Sequence, residues 1–428
     1  MPDDGEPPAE RPKPPLRLLH RFLLVRLSSQ MAWQMQAVAV GWYVYALTGS
    51  AFDLGLIGLV QFVPFAGLAL VAGHLVDRHP RRTIVTLALA LECLLSVALA
   101  ALALLGARDA APIFLVIAGY GACRAFEQPA TQSWLPSLVP AAEFPRSAAR
   151  LSFTSQTAVI VGPAIGGLLY ILGPAAPFAV VAALQVGALV LVRSLPGEER
   201  RAESEPLSWD AILGGVRFIR REEMILGSIT LDLFCVLFGG VTALLPIYAR
   251  DILHVGPAGL GLLRSAPAMG ALVTGIVLSL HPPDRRAGPR MMVAVAIYGA
   301  ATLVFGVSHT LFLSLAALMV LGAADMLSVV IRSTLVQVVA PDAIRGRVTS
   351  VASLFTGASN QLGQFESGVT AAWFGPVGSV VLGGLATLAI VALWTRRFPA
   401  LLRLDRLAFK EEAMDIARES VPESSLPV

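Results

Sequence analysis

The stretch GHLVDRHPRRTIV, residues 73–85, sets Asp77, Arg78, Arg81 and Arg82 within six consecutive positions, with His74 and His79 close by. Apolar runs almost free of charge flank it on both sides. The whole chain of 428 residues is 56% hydrophobic and only 14% charged, with a mean hydropathy of +0.71. A soluble domain carries about a quarter charged residues. This is the composition of an integral membrane protein, and a knot of charge between two greasy runs is the turn that joins two spanning helices.

A spanning helix needs about 20 mostly apolar residues. Twelve stretches qualify: 20–47, 52–76, 83–106, 111–137, 147–172, 175–194, 224–249, 256–280, 288–308, 310–338, 347–373 and 375–396. They are numbered below as spans 1 to 12. The connections are short except 195–223, in which SWDAILGGVRFIRREE reads as an amphipathic helix on the membrane surface. The predicted fold is an all-α membrane protein of twelve transmembrane helices in two pseudo-symmetric six-helix bundles. Residues 1–18 form a disordered cytoplasmic tail, 19–195 the first bundle, 196–223 a cytoplasmic linker, 224–396 the second bundle and 397–428 a second cytoplasmic tail.

With both termini in the cytoplasm, 27 of the 32 basic residues fall on that side. Arg108 and Arg250 fall on the other, and Arg124, Arg264 and Arg332 lie inside spans. That is the positive-inside pattern. The opening MPDDGEPPAERPKPP lacks the basic and apolar regions of a cleavable signal peptide.

The two halves repeat. YGACRAFEQPATQSWLPSLVP (120–140) aligns with LGAADMLSVVIRSTLVQVVAP (321–341) at an offset of 201, placing Gly121 on Gly322, Pro140 on Pro341 and Arg124 on Asp325. Spans 2 and 8 align at an offset of 203, with Gly58 on Gly261, Pro64 on Pro267 and Gly67 on Gly270. Parallel six-helix repeats around a central site are a transporter plan.

Composition also excludes. No basic tract resembles a nucleic-acid footprint, and the two lysines, Lys13 and Lys410, lack the Gly-rich loop of a Walker A ATP site. Cys93, Cys123 and Cys235 lie in apolar runs without metal-ligand spacing and read as small buried hydrophobes. The six histidines are scattered. No metal, cofactor or enzymatic activity is expected. A membrane-embedded lipid-modifying enzyme would need a nucleophile beside a base, and a channel would need a filter-like loop.

GHLVDRHPRR resembles the loop signature G-x-x-x-D-R-x-G-R-R/K of the major facilitator superfamily: Gly73, Asp77, Arg78, Arg81 and Arg82 match, and Pro80 replaces the second glycine. AVIVGPAIGG (158–167) resembles that superfamily's antiporter signature in span 5, through Gly162, Pro163, Gly166 and Gly167, with Ala158 in place of the first glycine. Arg124 resembles the arginine of its fourth helix. LGQFESGVTAAWFGPVGSVVLGG (362–384) looks like the branch of enterobactin exporters and macrolide-efflux pumps. The resemblance covers about residues 15 to 400. It implies alternating access, with the span 5 surface packed on the other half in one state.

Eight charged residues of the predicted spans are read as embedded in the membrane interior: Glu92, Arg124, Glu127, Asp232, Arg264, Asp325, Arg332 and Glu366. Each costs free energy in lipid and needs a reason. Tyr120, Arg124, Glu127, Gln128 and Thr131 share one helical face, and Pro129 kinks that helix. Glu127, three residues from Arg124, suits either a proton switch or a fixed buried pair. Asp232, near Phe234 and Phe238, reads as a proton or cation site or as a salt bridge to Arg332. Asp325, Ser328 and Arg332 share a face that the pseudo-symmetry with Arg124 turns toward the cavity, and Arg332 also reads as a snorkelling arginine. Glu127, Asp232, Arg124, Asp325 and Glu366 are the candidates for proton coupling. Arg264 is placed to contact an anionic substrate or to close an outer gate with Glu366, and Glu92 reads as structural. Gln30, Trp33 and Gln34 of span 1, Gln61 of span 2, and Thr356, Asn360 and Gln364 of span 11 are candidates for a substrate cavity or for helix–helix hydrogen bonds.

The function expected is export of a small amphipathic compound (a siderophore, drug or related metabolite) by proton antiport. The partners are the substrate, protons and lipid, in a monomer of the bacterial inner membrane. Import or uniport of a metabolite is the alternative. Asp77 is expected to face the helix N-terminus near Val348 and latch the cytoplasmic side, and Pro80 to stiffen the turn.

Overall fold

The computed structural model describes residues 16–196, 209–281 and 286–404. Most of both expected tails, and most of the linker before residue 209, lie outside the described residues. The first half contains α1 (Leu16–Thr48), α2 (Ala51–Arg78), α3 (Arg81–Leu104), α4 (Ala111–Leu138), α5 (Phe144–Leu169) and α6 (Ala176–Arg193). The linker helix α7 (Trp209–Arg221) follows. The second half contains α8 (Glu223–Phe238), the one-turn α9 (Leu245–Ile247), α10 (Gly256–Leu280), α11 (Ala287–Gly306), α12 (Leu311–Val339), α13 (Asp342–Arg397) and the short α14 (Pro399–Leu402). No strand occurs among the described residues.

Among the described residues, nine stretches are long and apolar enough to cross a membrane. Helices α1 and α4 are long enough, at 33 and 28 residues, but amides and charges dilute them. Helix α13 is two arms broken at Gly375, whose φ of 76° only glycine takes easily. With these, the described residues accommodate the twelve expected spans. One span is less regular than expected. The run 224–249 is not one helix: α8 stops at Gly239, and a 3-10 turn, α9 and a π-helical turn (Tyr248–Ile252) lead to α10. Paired glycines at 239 and 240 allow the break. A Cβ at Gly240 would lie 2.4 Å from the carbonyl oxygen of Gly363.

The repeat seen in the sequence is a repeat in packing. Helix α4 closes on α2 at Gly121, where a Cβ would lie 2.2 Å from the Gln61 carbonyl oxygen. Helix α12 closes on α10 at Gly322, 1.9 Å from the Pro267 carbonyl oxygen on the same measure.

The ends of the molecule differ in charge. The basic end carries Arg78, Arg82, Arg193, Arg290, Arg347 and Arg396. Here the opening stretch finds its role: Pro80 caps α3, and Arg82 Nη2 donates to the Arg193 carbonyl at the C-terminus of α6, 2.8 Å away. A guanidinium on orphan carbonyls at a helix C-terminus is favourable twice over, by hydrogen bond and by dipole. Asp77 lies in the last turn of α2; its side chain is outside the described residues, and Val348, its expected partner region, is covered by α7. Helix α7 sets Val216 and Ile219 against Val348 and Val351 of α13, so these apolar residues face protein where the sequence reading placed them toward lipid.

At the opposite end the halves meet. Gly55 of α2 packs on Gly368 of α13, and Gly167 of α5 packs on Pro257 and Gly261 of α10. Residues 167 and 368 are related by the same offset of 201. Across this seam the Tyr45 hydroxyl donates to Asp251, and Arg250 donates to the Tyr45 carbonyl at 3.2 Å with its guanidinium 5.5 Å from the Tyr45 ring centre. Toward the basic end the contact lapses. A Cβ built at Gly67 or Gly73 of α2, or at Gly346 or Gly357 of α13, meets nothing within 4 Å. The close glycine contacts between α2 and α13 are thus confined to the end away from the arginines.

Candidate substrate and ion-coupling site

Two charge clusters line the inner faces of the halves. In the first, Arg124 of α4 donates from Nη1 to Glu127 Oε2 at 2.6 Å and from Nη2 to Gln30 Oε1 of α1 at 2.8 Å. Its guanidinium lies over Trp33, 4.6 Å from the ring centre. The other Glu127 oxygen accepts from Ser29, and Arg26 lies 3.8 Å from it while donating to Thr131 at 2.9 Å. The i, i+3 spacing thus yields a direct pair, and Glu127 is wholly buried beneath two arginines. Arg26 is a residue the sequence reading assigned to the cytoplasmic side. It lies three residues before Ser29 and seven before Trp33, and that helical spacing was the available signal.

In the second cluster Arg332 of α12 forms an ion pair with Asp232 of α8, and Thr356 of α13 donates to the other Asp232 oxygen at 3.2 Å. Of the two readings of Asp232, the geometry shows the salt bridge. Arg332 is 9% exposed, so it is a buried partner here and does not snorkel. Thr131 and Arg332 are repeat mates at the offset of 201, so each half places a side chain from that position at its cluster, with charges rearranged. Asp325 lies two turns from Arg332. It has no hydrogen-bond or ion-pair partner among the described residues and lines a cavity of 440 Å³.

That cavity lies between the halves and is also lined by Gln34, Gln156 and Pro163 of the first and by Arg264, Tyr298 and Asn360 of the second. A smaller chamber of 110 Å³ lies nearer the seal, lined by Trp33, Gln36, Gln61, Arg264, Gln361 and Gln364 among others. Arg264 borders both. Gln61 and Arg264 are repeat mates at the offset of 203. Gln36, Gln156 and Gln361 escaped the sequence reading because isolated amides without a neighbouring charge carry no pattern.

The remaining candidates lie elsewhere. Tyr120 is 1% exposed and bonds Ser96 and the Glu92 carbonyl inside the first bundle, so it turns away from the cavity. Glu92 belongs to that same buried group, on the side of α6 marked by Gln185. Gln128 is half-buried and borders neither chamber. Phe234 stacks edge-on with Trp394 at 5.5 Å, and Phe238 ends α8 with its carbonyl against Gly383. Glu366 is half-buried with Ser367 Oγ 3.5 Å away, and it makes no ion pair with Arg264. In the α5 motif, Gly162 and Gly166 admit α1 (a Cβ at 166 would lie 2.8 Å from Met35 Cα), while Pro163 and Gly167 meet α10. No group of three or more metal-ligating side chains occurs among the described residues.

Pseudo-symmetric helical bundles around a polar cavity sealed at one end define a membrane transporter. The sequence profile described as Major Facilitator Superfamily matches residues 22–364, and the chain belongs to that superfamily. It is 26% identical over 372 residues to the enterobactin exporter EntS of Citrobacter koseri, covering 86% of this chain and 89% of that one. It is 25% identical over the same length to the EntS of Shigella boydii, with the same coverage. Among solved structures it is similar to a bacterial homolog of the human lysosomal transporter Spinster in an inward-facing, unoccupied conformation, with a TM-score of 0.70 at 14% identity over 90% of this chain and 96% of that one. The protein is therefore a multi-pass membrane transporter and not an enzyme.

Proposed function

We propose that the protein exports a small amphipathic compound across the bacterial inner membrane in exchange for protons. The basic end faces the cytoplasm, as the distribution of arginines favours, so the structure corresponds to a state that loads substrate from inside. The observation that carries the coupling is Asp325: two carboxylates, Asp232 and Asp325, lie on one cluster with the single guanidinium of Arg332, and only Asp232 holds it. The second carboxyl faces the cavity and is the natural carrier of a transported proton. Glu127, clasped by Arg124 and Arg26, serves as a fixed strut between α1 and α4. This narrows the proton-coupling candidates Glu127, Asp232, Arg124, Asp325 and Glu366 to Asp325, and gives Glu127 and Asp232, which the sequence favoured as the exchanging pair, the part of fixed partners.

The cycle follows from the seam. A protonated Asp325 and substrate occupy the cavity in alternation, and the halves rock about it as the α2–α13 and α5–α10 contacts release at one end and new contacts form at the other. Enterobactin is the first compound to try, because the relatives are named for it. Everted vesicles holding the protein should accumulate labelled enterobactin or a compound of like size when the lumen is acid. Accumulation unaffected by collapsing the pH gradient would refute proton coupling, and import from the opposite face would refute export.

A further inference from the structure

We infer that the small chamber is a headgroup site for an anionic oxygen that sits beside a hydrogen-bond donor, and hence that the transported compound carries such a pair. The inference rests on the transporter reading but not on its coupling. Two unsatisfied groups converge there. Arg264 borders the chamber and has no hydrogen-bond or ion-pair partner among the described residues. Gln36 is 5% exposed, also borders the chamber, and its Oε1 has no hydrogen-bond partner among the described residues.

Arg264 is half-buried on the wall of both cavities, so its guanidinium faces their space with no anion opposite it among the described residues. A guanidinium so placed is a ready partner for a carboxylate or other anionic oxygen, and a buried amide oxygen without a donor is costly until a donor reaches it. The described residues supply neither partner. Helix α10 has no structural need of a charge at 264: its packing on α5 runs through Gly261, Ser265 and Ala268, with Ser265 donating to the Ile160 carbonyl at 2.6 Å and Gln156 donating to the Ala268 carbonyl at 2.9 Å. The first half offers only the neutral Gln61 at the equivalent position. The two free groups are complementary in sign, a donor cation and an acceptor, so a ligand that satisfies both presents an acceptor anion next to an O–H or N–H. The chamber's 110 Å³ suits a group on the order of one small ring. The larger cavity, opening beside Asp325, would take the remainder of the molecule.

The test is equilibrium binding by calorimetry to the full chain in detergent, with no gradient, using three ring-sized probes: 3-hydroxybenzoate, the neutral 3-hydroxybenzamide and the donor-less 3-methoxybenzoate. The wild type should bind the first more tightly than either of the others. Arg264→Gln should erase the preference for the acid, a loss of about tenfold to a hundredfold, while still binding the amide, which shows that the variant is folded. Arg264→Lys should keep part of that preference, and Gln36→Leu should erase only the preference for the hydroxyl. Equal binding of the three probes by the wild type, binding of none, or an acid preference that survives Arg264→Gln overturns the inference. Because no proton gradient is present, failure of proton coupling would leave this result untouched.

Discussion

Gly167 of α5 and Gly261 of α10 bring the two halves of the molecule into backbone contact: a Cβ on residue 167 would lie 3.0 Å from the Gly261 nitrogen and 2.2 Å from the Pro257 carbonyl oxygen. No side chain fits this seam without moving a helix. Gly167→Val should therefore wedge the sealed end, with an overpacking cost of about 1–3 kcal/mol confined to the sealed state. That is enough to change a two-state population about tenfold. Spin labels on α5 and α10 beside the seam should report longer distances than in the unwedged chain. An unchanged distance distribution would show that the seam does not govern the state.

The Tyr45–Asp251 hydrogen bond is a smaller latch on the same seam. Tyr45→Phe removes its donor and should weaken closure by about 0.5–1.5 kcal/mol. With native cysteines replaced and a cysteine placed at Ala37, on the chamber wall, a membrane-impermeant maleimide applied from the outside should react several times faster. Equal rates would mean that Gly55, Gly167 and their partners carry closure alone.

Glu127 makes a prediction of the opposite kind. If it is a strut, Glu127→Ala leaves the partly buried Arg26 and Arg124 without their counter-charge, at a cost of about 2–3 kcal/mol, below that of breaking a fully buried pair. Glu127→Gln keeps hydrogen-bonding atoms and should cost less. Thermal unfolding in detergent should rank wild type above Gln and Gln above Ala. A Glu127→Ala protein as stable as wild type would return Glu127 to the list of exchangeable acids.

The architecture was legible because lipid imposes it. Apolar length sets the spans, arginines mark one end, and the offsets of 201 and 203 place Gly121 with Gly322 and Gln61 with Arg264. Within one helix the site was legible too, as the Arg124–Glu127 pair shows. Between helices it was not. Asp232 had two readings until α12 brought Arg332 to it. Tyr120 shares its helical stripe with Arg124, yet it turns to Ser96 of α3 because a helix in a bundle has neighbours on both sides of any stripe. Arg26 was hidden by position: near the start of a span, a buried arginine and a topology-setting one look alike. The break at Gly239 was masked by an apolar run on both sides of it.

Asp325 carries the central claim, and Asp325→Asn tests it most directly. In proteoliposomes holding the purified protein, the variant should lose substrate accumulation driven by an imposed pH gradient. It should retain exchange of labelled for unlabelled substrate across the membrane at near wild-type rate, because rocking of the halves does not need the proton once the carboxylate is neutralised. Gradient-driven accumulation by Asp325→Asn at the wild-type rate would contradict the account.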